Sequence, residues 1–186
     1  FYPTKPLGGF GDGGAVFALD EDVAEAVKRI RNHGLGGSGD QPDELGMTGR
    51  LDTLQAAVLL AKLKVFDDQL AERQKIAARY QSEISADLVH PVLPSGVRSA
   101  WAIYSVEVPG RDQVRKSLSE VGVSTGVYYP RPLHHHPAFQ KWVDPDFPLA
   151  VSENLAAHVL ALPLHCHLNA AQVDHVIAAV NNRATD

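Results

Sequence analysis

The chain has 186 residues, 45% of them apolar, and 22 acidic against 17 basic side chains give a formal charge of −5. That is enough for a packed core in one large domain or one and a half. No basic run is present, which argues against nucleic acid or an anionic membrane as partner, and no apolar stretch approaches the roughly 20 residues of a membrane span. Cys166 is the single cysteine and has no internal partner for a disulfide. With no signal-peptide pattern, the composition reads as a soluble cytoplasmic protein.

In chain order, the first feature is Phe1-Tyr2-Pro3-Thr4-Lys5-Pro6, followed by five glycines within seven positions: Gly8, Gly9, Gly11, Gly13 and Gly14. Pro3 and Pro6 each fix φ and lack an N–H, so the backbone carrying the Lys5 amine is stiff before any tertiary contact forms. The glycines let another backbone or a flat ligand approach without a Cβ in the way. A lysine desolvated in such a cleft favours its neutral form and becomes a nucleophile toward carbonyls, for which Schiff-base chemistry is the natural use. Gly9 to Gly14 formally matches G-x-G-x-x-G. A dinucleotide fingerprint, however, sits between a strand and a helix, and here a strand-like run, Ala15-Val16-Phe17-Ala18-Leu19, follows the glycines. A P-loop is excluded because its lysine comes after the glycines. A tight loop bearing a solvated lysine is the remaining alternative.

Asp20-Glu21-Asp22 supplies an N-cap and acidic first turn for a helix over Val23 to His33, closed by Gly34, with Val23, Ala26, Val27 and Ile30 at helical spacing. Arg29 and Arg31 read as solvated charges on that helix. Leu35 to Gly46 is rich in glycine and acid, without periodicity, and reads as a mobile loop. From Thr53 to about Ile84 there is no Pro or Gly, which predicts one long helix, bent near Phe66 to Asp68 and capped by the Asp52 side chain. Arg50, just ahead of it, is either a loop charge or an anion clamp for phosphate or carboxylate. Asp87 to Ser99 reads as a connector, Ala100 to Val108 as a strand, Arg111 to Val121 as a helix closed by Gly122, and Ser124 to Tyr129 as a second strand. Ser152-Glu153 is expected to cap a helix over Asn154 to His158. Val159 to Leu164 and a final helix from Ala170 to about Val180 complete a small α+β domain with helices on one face.

Four blocks, Phe1-Tyr2-Pro3-Thr4-Lys5, Gly11-Asp12-Gly13-Gly14-Ala15, Arg31-Asn32-His33-Gly34 and Gly49-Arg50-Leu51-Asp52-Thr53-Leu54-Gln55-Ala56-Ala57, together with Leu162-Pro163-Leu164-His165, resemble the DegT/DnrJ/EryC1/StrS aminotransferases. The resemblance implies an α/β architecture, the fold type I PLP-dependent transferase, with residues 1–63 as the end of the large domain and 64–186 as a small α+β C-terminal domain. It implies pyridoxal 5'-phosphate as cofactor, with Lys5 forming the Schiff base and moving the proton between cofactor and substrate carbons. The implied substrate is a nucleotide-diphosphate keto-sugar, aminated for cell-surface polysaccharide or secondary-metabolite biosynthesis with glutamate as donor. It also implies a homodimer with shared active sites. In such enzymes the arginine matching Arg50, and a polar residue two positions earlier, project into the partner subunit's site. That polar residue is normally an Asn on the cofactor phosphate; here it is Thr48, a shorter side chain able to donate one hydrogen bond. The usual histidine after the strand aromatic is Ala102 here. Family members are roughly double this length, and the sequence starts in mid-motif without Met, so it reads as a C-terminal portion whose absent half carries the acid for the pyridine nitrogen.

The second chemical cluster is Tyr128-Tyr129-Pro130-Arg131-Pro132-Leu133-His134-His135-His136, rigid aromatic and polar surface suited to a sugar ring or nucleobase. Similar blocks in the family line the substrate side, which points to Tyr128, Tyr129 and His134 beside Arg50 as substrate contacts. His134 and His165 equally fit structural roles. No metal is expected, because consecutive histidines on extended chain point to alternate sides and neither this block nor His165-Cys166-His167 has ligand spacing. Two alternatives share the fold: a PLP-dependent sugar dehydratase, whose relatives carry His where Lys5 stands, and a non-catalytic regulatory homologue, suggested by Thr48 and Ala102.

Overall fold

A computed structural model describes residues 1–36 and 41–183 and divides the chain into two units, Phe1–Asp67 and Asp68–Asp186. In the first unit, helix α1 spans Glu21–Arg31 and starts where the Asp20 carboxylate accepts from the amides of Asp22 (2.8 Å) and Val23 (3.1 Å). It both begins and ends two residues earlier than the spacing predicts. Asn32 caps it, and the Gly34 amide closes it by donating to the Arg29 carbonyl at 2.9 Å. Arg29 is not a free solvated charge: its Nε donates to Glu44 Oε1 at 2.7 Å. Of the loop expected over Leu35 to Gly46, residues 37–40 lie outside the described residues. Its flanks bond back to the end of α1, through Asp43 N to Gly34 O (2.9 Å) and Met47 N to Ile30 O (2.8 Å).

Ala15 to Leu19 is not a strand. The alternation is right, but a strand needs a partner, and none of the described residues pairs with it; Phe17 is 95% exposed. Helix α2 spans Thr53–Leu63. Asp52 stands at its N-cap and its carbonyl accepts from Ala56 N (2.9 Å), yet its carboxylate makes no capping bond. This first turn is exposed, so water can serve its amides.

The single long helix expected from Thr53 to Ile84 is two helices. The chain turns at Lys64-Val65, with Val65 N bonded to Lys62 O at 3.1 Å, and α3 follows over Phe66–Glu83. In the second unit β1 (Tyr104–Glu107) pairs antiparallel with β2 (Val159–Leu162), Tyr104 opposite Leu162 and Glu107 opposite Val159. Single bridges extend the sheet on both edges, Val89 to Glu107 and Gly126 to Ala161. β1 is shorter than expected because Trp101, at φ 45°, leaves the extended region and its carbonyl is taken by Arg73 Nη1 at 2.8 Å. The strand expected over Ser124 to Tyr129 shrinks to that one bridge. After it, the Tyr128 ring folds back over Gly126, within 2.6 Å of where a Cβ would sit.

Strand alternation sends Tyr104 and Val106 into the core, where α3, α4 (Arg111–Glu120) and α6 (Ala170–Asn181) supply Ile76, Tyr80, Leu118 and Val180. Burial of each such side chain contributes about 1.5–3 kcal/mol. α6 begins at a capping box, Asn169 Oδ1 accepting from Gln172 N and Gln172 Oε1 from Asn169 N, both at 2.9 Å. α4 ends at Gly122 (φ 81°), whose amide bonds Ser119 O while Val123 N bonds Leu118 O at 2.9 Å. That left-handed position is why a glycine follows this helix. Helices are not confined to one face. α5 (Ala150–His158) is tied by Asn154 Nδ2 to Glu107 Oε2 at 3.1 Å, and Glu107 alternates away from the core side of β1. α5 also starts earlier than expected, at Ala150 with Leu149 as its N-cap, so Ser152 and Glu153 lie within the helix rather than capping it.

Candidate functional site

The Lys5 segment is a tight turn, Lys5 N donating to Tyr2 O (2.9 Å) and Gly9 N to Phe1 O (2.7 Å). Gly8 packs so close to the chain that a Cβ there would lie 2.6 Å from the Pro3 carbonyl oxygen; close approach is what this glycine permits. α2 braces the turn. Gln55 Oε1 accepts from the Phe10 amide at 2.7 Å, and Lys62 Nζ donates to the Gly8 carbonyl at 2.6 Å while lying over the Phe10 ring. Gln55 and Lys62 are seven residues apart, two helical turns, and share a face. Neither was singled out from the sequence; a pair of polar residues at that interval beside a glycine-rich turn was the available signal.

Among the described residues the Lys5 amine has no ion pair or side-chain hydrogen bond, and the side chain is exposed. The desolvation expected from the sequence is therefore not supplied by the described residues of the first unit. Thr48 and Arg50 stand on the segment leading into α2, held to the end of α1 by His33 N to Met47 O (3.1 Å) and Gly49 N to Arg31 O (2.8 Å). The Thr48 hydroxyl lies 3.5 Å from His33 Nδ1, too long to consume its donor strength. Arg50 is exposed and, among the described residues, without an anionic partner. Among its described residues the first unit thus presents a primary amine, a hydroxyl and a guanidinium, the two cations without an anionic partner.

Tyr128, Tyr129 and His134 belong to the second unit, where they line a cleft of about 1110 Å³ together with Phe139, Trp142 and Phe147. The tyrosine rings stand edge to face, 6.0 Å apart. His134 is half-buried in a 3₁₀ turn over Leu133–His135, and its Nε2 lies 3.1 Å from Glu153 Oε1 on α5. His135 Nε2 reaches the same oxygen at 3.0 Å. Bonds from His134 and then His135 hold the Glu153 carboxyl below the usual range. The premise that neighbouring histidines diverge fails here, because a 3₁₀ turn separates successive side chains by about 120° rather than the strand's 180°. His165 is exposed, and its Nδ1 accepts from His167 N at 3.2 Å. Partial burial, then the charges of His167 and Arg73, lower its pKa.

An exposed lysine on a glycine-rich turn and a small antiparallel α+β unit agree with the fold type I aminotransferases. Residues 1–181 match the DegT/DnrJ/EryC1/StrS aminotransferase family, and the chain belongs to it. It is 39% identical to the UDP-2-acetamido-2-deoxy-3-oxo-D-glucuronate aminotransferase of Pseudomonas aeruginosa, over 98% of this chain and 50% of that protein. Among solved structures it superimposes on Streptomyces venezuelae DesV in complex with a ketimine intermediate, with a TM-score of 0.92, 35% identity, and coverage of 100% of this chain and 51% of the other. A third likeness is Bacillus subtilis NtdA with bound cofactor PMP, at TM-score 0.87, 26% identity, and coverage of 97% and 43%. The chain spans about half the length of the relatives it matches. Among the described residues no helix is long and apolar enough to cross a membrane.

Proposed function

We propose that the full-length protein is a pyridoxal-phosphate-dependent aminotransferase that converts a nucleotide-diphosphate keto-sugar to the amino-sugar, with glutamate as donor, and works as a homodimer. The observation that carries this is the unpaired Lys5 amine on a turn stiffened by Pro3 and Pro6 and braced by Gln55 and Lys62. The donor set fits the cofactor: an amine for its aldehyde, with a hydroxyl and a guanidinium for phosphate or carboxylate. When bound, the cofactor supplies the electron sink.

The protein's part is placement and proton handling. With the cofactor in place, Lys5 Nζ would hold its aldehyde carbon and, as a free amine, would serve as the base that moves a proton between cofactor and substrate carbons. The Thr48 hydroxyl would donate one hydrogen bond to the cofactor phosphate. Arg50 holds an anionic group of the substrate, and both residues serve the partner subunit's site. Tyr128 and Tyr129 offer aromatic faces to the sugar or base, and His134 borders the same cleft.

The test uses full-length protein saturated with pyridoxal phosphate. Borohydride reduction followed by peptide mapping should place the cofactor mass on the Lys5 peptide. Lys5→Ala should abolish amino-sugar formation from glutamate and a keto-sugar nucleotide; product formation at the wild-type rate in that variant refutes the assignment.

A further inference from the structure

We infer that His134, His135 and Glu153 form a site for a divalent first-row transition ion of borderline softness, Zn²⁺ being the probe of choice. The inference does not rest on the aminotransferase reading.

The three residues each direct one ligand atom to the same place, and these atoms lie within 4.8 Å of one another. His134 Nε2 and His135 Nε2 stand 3.1 and 3.0 Å from Glu153 Oε1. Two ligands bonded to a common ion at about 2.05 Å and separated by such a distance subtend roughly 95° at the ion, between octahedral and tetrahedral values. The widest possible separation, 4.8 Å, exceeds the about 4.1 Å that spans an ion with such bonds by well under 1 Å. Rotation of His135 and Glu153, half-exposed at 50% and 49% of their side chains, covers that difference. The backbone is suited to it: the 3₁₀ turn carries both imidazoles, whose ring centres are 4.3 Å apart, while α5 supplies the carboxylate from a rigid helix.

The chemistry of the set selects the ion. Two neutral imidazoles and one carboxylate suit Zn²⁺, Co²⁺ or Ni²⁺, whereas Mg²⁺ and Ca²⁺ require mainly oxygen ligands. Without an ion, two imidazole N–H groups must share a single carboxylate oxygen; a cation replaces both protons and uses the nitrogen lone pairs instead. Three protein ligands leave at least one position for water or another ligand on the exposed side. Occupancy would pin the 3₁₀ turn to α5 along the rim of the cleft that His134 also lines.

The experiment is calorimetric titration of full-length protein, carrying no oligohistidine tag and stripped with EDTA, with Zn²⁺, alongside visible absorption on titration with Co²⁺. One ion per chain should bind. His135→Ala and Glu153→Gln, both at exposed positions, should each weaken binding by more than about 100-fold, beyond the 10–100-fold cost of losing an outer-shell partner. His167→Ala should bind as the wild type does. The proposal is overturned if the wild type takes up no Zn²⁺, if His135→Ala binds equally well, or if Mg²⁺ binds as tightly. Any of these leaves Glu153 as a carboxylate bridging two imidazoles and no more. No sugar nucleotide enters the assay, so its failure is separate from failure of the transaminase assignment.

Discussion

Removing the Tyr80 hydroxyl is the sharpest test of how the second unit is held together. Tyr80 is 0% exposed, packs edge-on to Tyr104 with ring centres 5.3 Å apart, and donates from its hydroxyl to the Pro163 carbonyl at 2.7 Å. This bond ties α3 to the residue that follows β2. Tyr80→Phe keeps the ring and its packing and deletes one bond, so the cost is the net value of a neutral hydrogen bond plus part of the penalty for a carbonyl left without its donor, about 1–2 kcal/mol. Tyr80→Ala also removes the ring and should cost about 3–5 kcal/mol, as large aromatic truncations do. Urea unfolding in a Trp142→Phe background leaves the buried Trp101, 5.3 Å from Tyr104, as the fluorescent reporter of this core. With a slope of about 2 kcal/mol per molar urea, the midpoint for Tyr80→Phe should fall by roughly 0.5–1 M. A midpoint equal to the wild type's, or a loss as large as that of Tyr80→Ala, would refute the reasoning.

Burial pushes the Tyr104 hydroxyl from its ordinary 10.0 up to about 12. A raised native pKa means that stability is fully present below about pH 10 and drains away as the pH climbs to about 12. Tm measured across that window should drop in the wild type, and Tyr104→Phe should make the drop shallower; an equally steep profile contradicts this. Gly122→Ala places a side chain at φ 81° with no neighbour within 4 Å of its Cβ, so its cost is conformational alone, about 1–2 kcal/mol by urea melt; a neutral effect would show that α4 does not need that turn. Thr48→Asn should tighten pyridoxal phosphate binding roughly 5-fold and Thr48→Val should loosen it by a similar factor, each reflecting about 1 kcal/mol for one hydrogen bond. Absorbance titration of the full-length protein decides it, and equal affinity in all three proteins removes Thr48 from the phosphate site.

What the sequence disclosed divides along physical lines. Elements flanked by their own signals were legible to within two residues: α1 follows the Asp20 cap, α4 stops just before Gly122, and α6 runs from Ala170 to Asn181 against an expected end near Val180. Elements whose existence depends on a neighbour were not. Ala15 to Leu19 has the alternation of a strand without a partner among the described residues, and the long helix breaks at Lys64-Val65, where no Gly or Pro marks the turn. Lys5, Thr48 and Arg50 were singled out as candidates through motif and resemblance. The convergence of His134 and His135 on Glu153 needed the 3₁₀ turn and the register of α5, neither of which leaves a periodic signature over so few residues.

α2 shows why the brace behind Lys5 escaped notice. Hydrophobic periodicity assumes that apolar side chains mark the inward face, yet in this helix Leu54 is 80% and Leu60 64% exposed while Gln55 and Lys62 are half-buried against the glycine turn. The polar side chains face inward because what they meet is backbone: the Phe10 amide and the Gly8 carbonyl belong to no regular element, and such groups need partners from side chains. A glycine-dense turn does not bond itself into a helix or sheet, so the element behind it presents an amide and an ammonium group to its free backbone groups, while Leu59 remains the buried apolar residue of α2. Polar positions two helical turns apart beside a run of glycines are therefore a readable sign of a helix that supports a loop, and here they point to Gln55 and Lys62, which bond the backbone of the turn that carries Lys5.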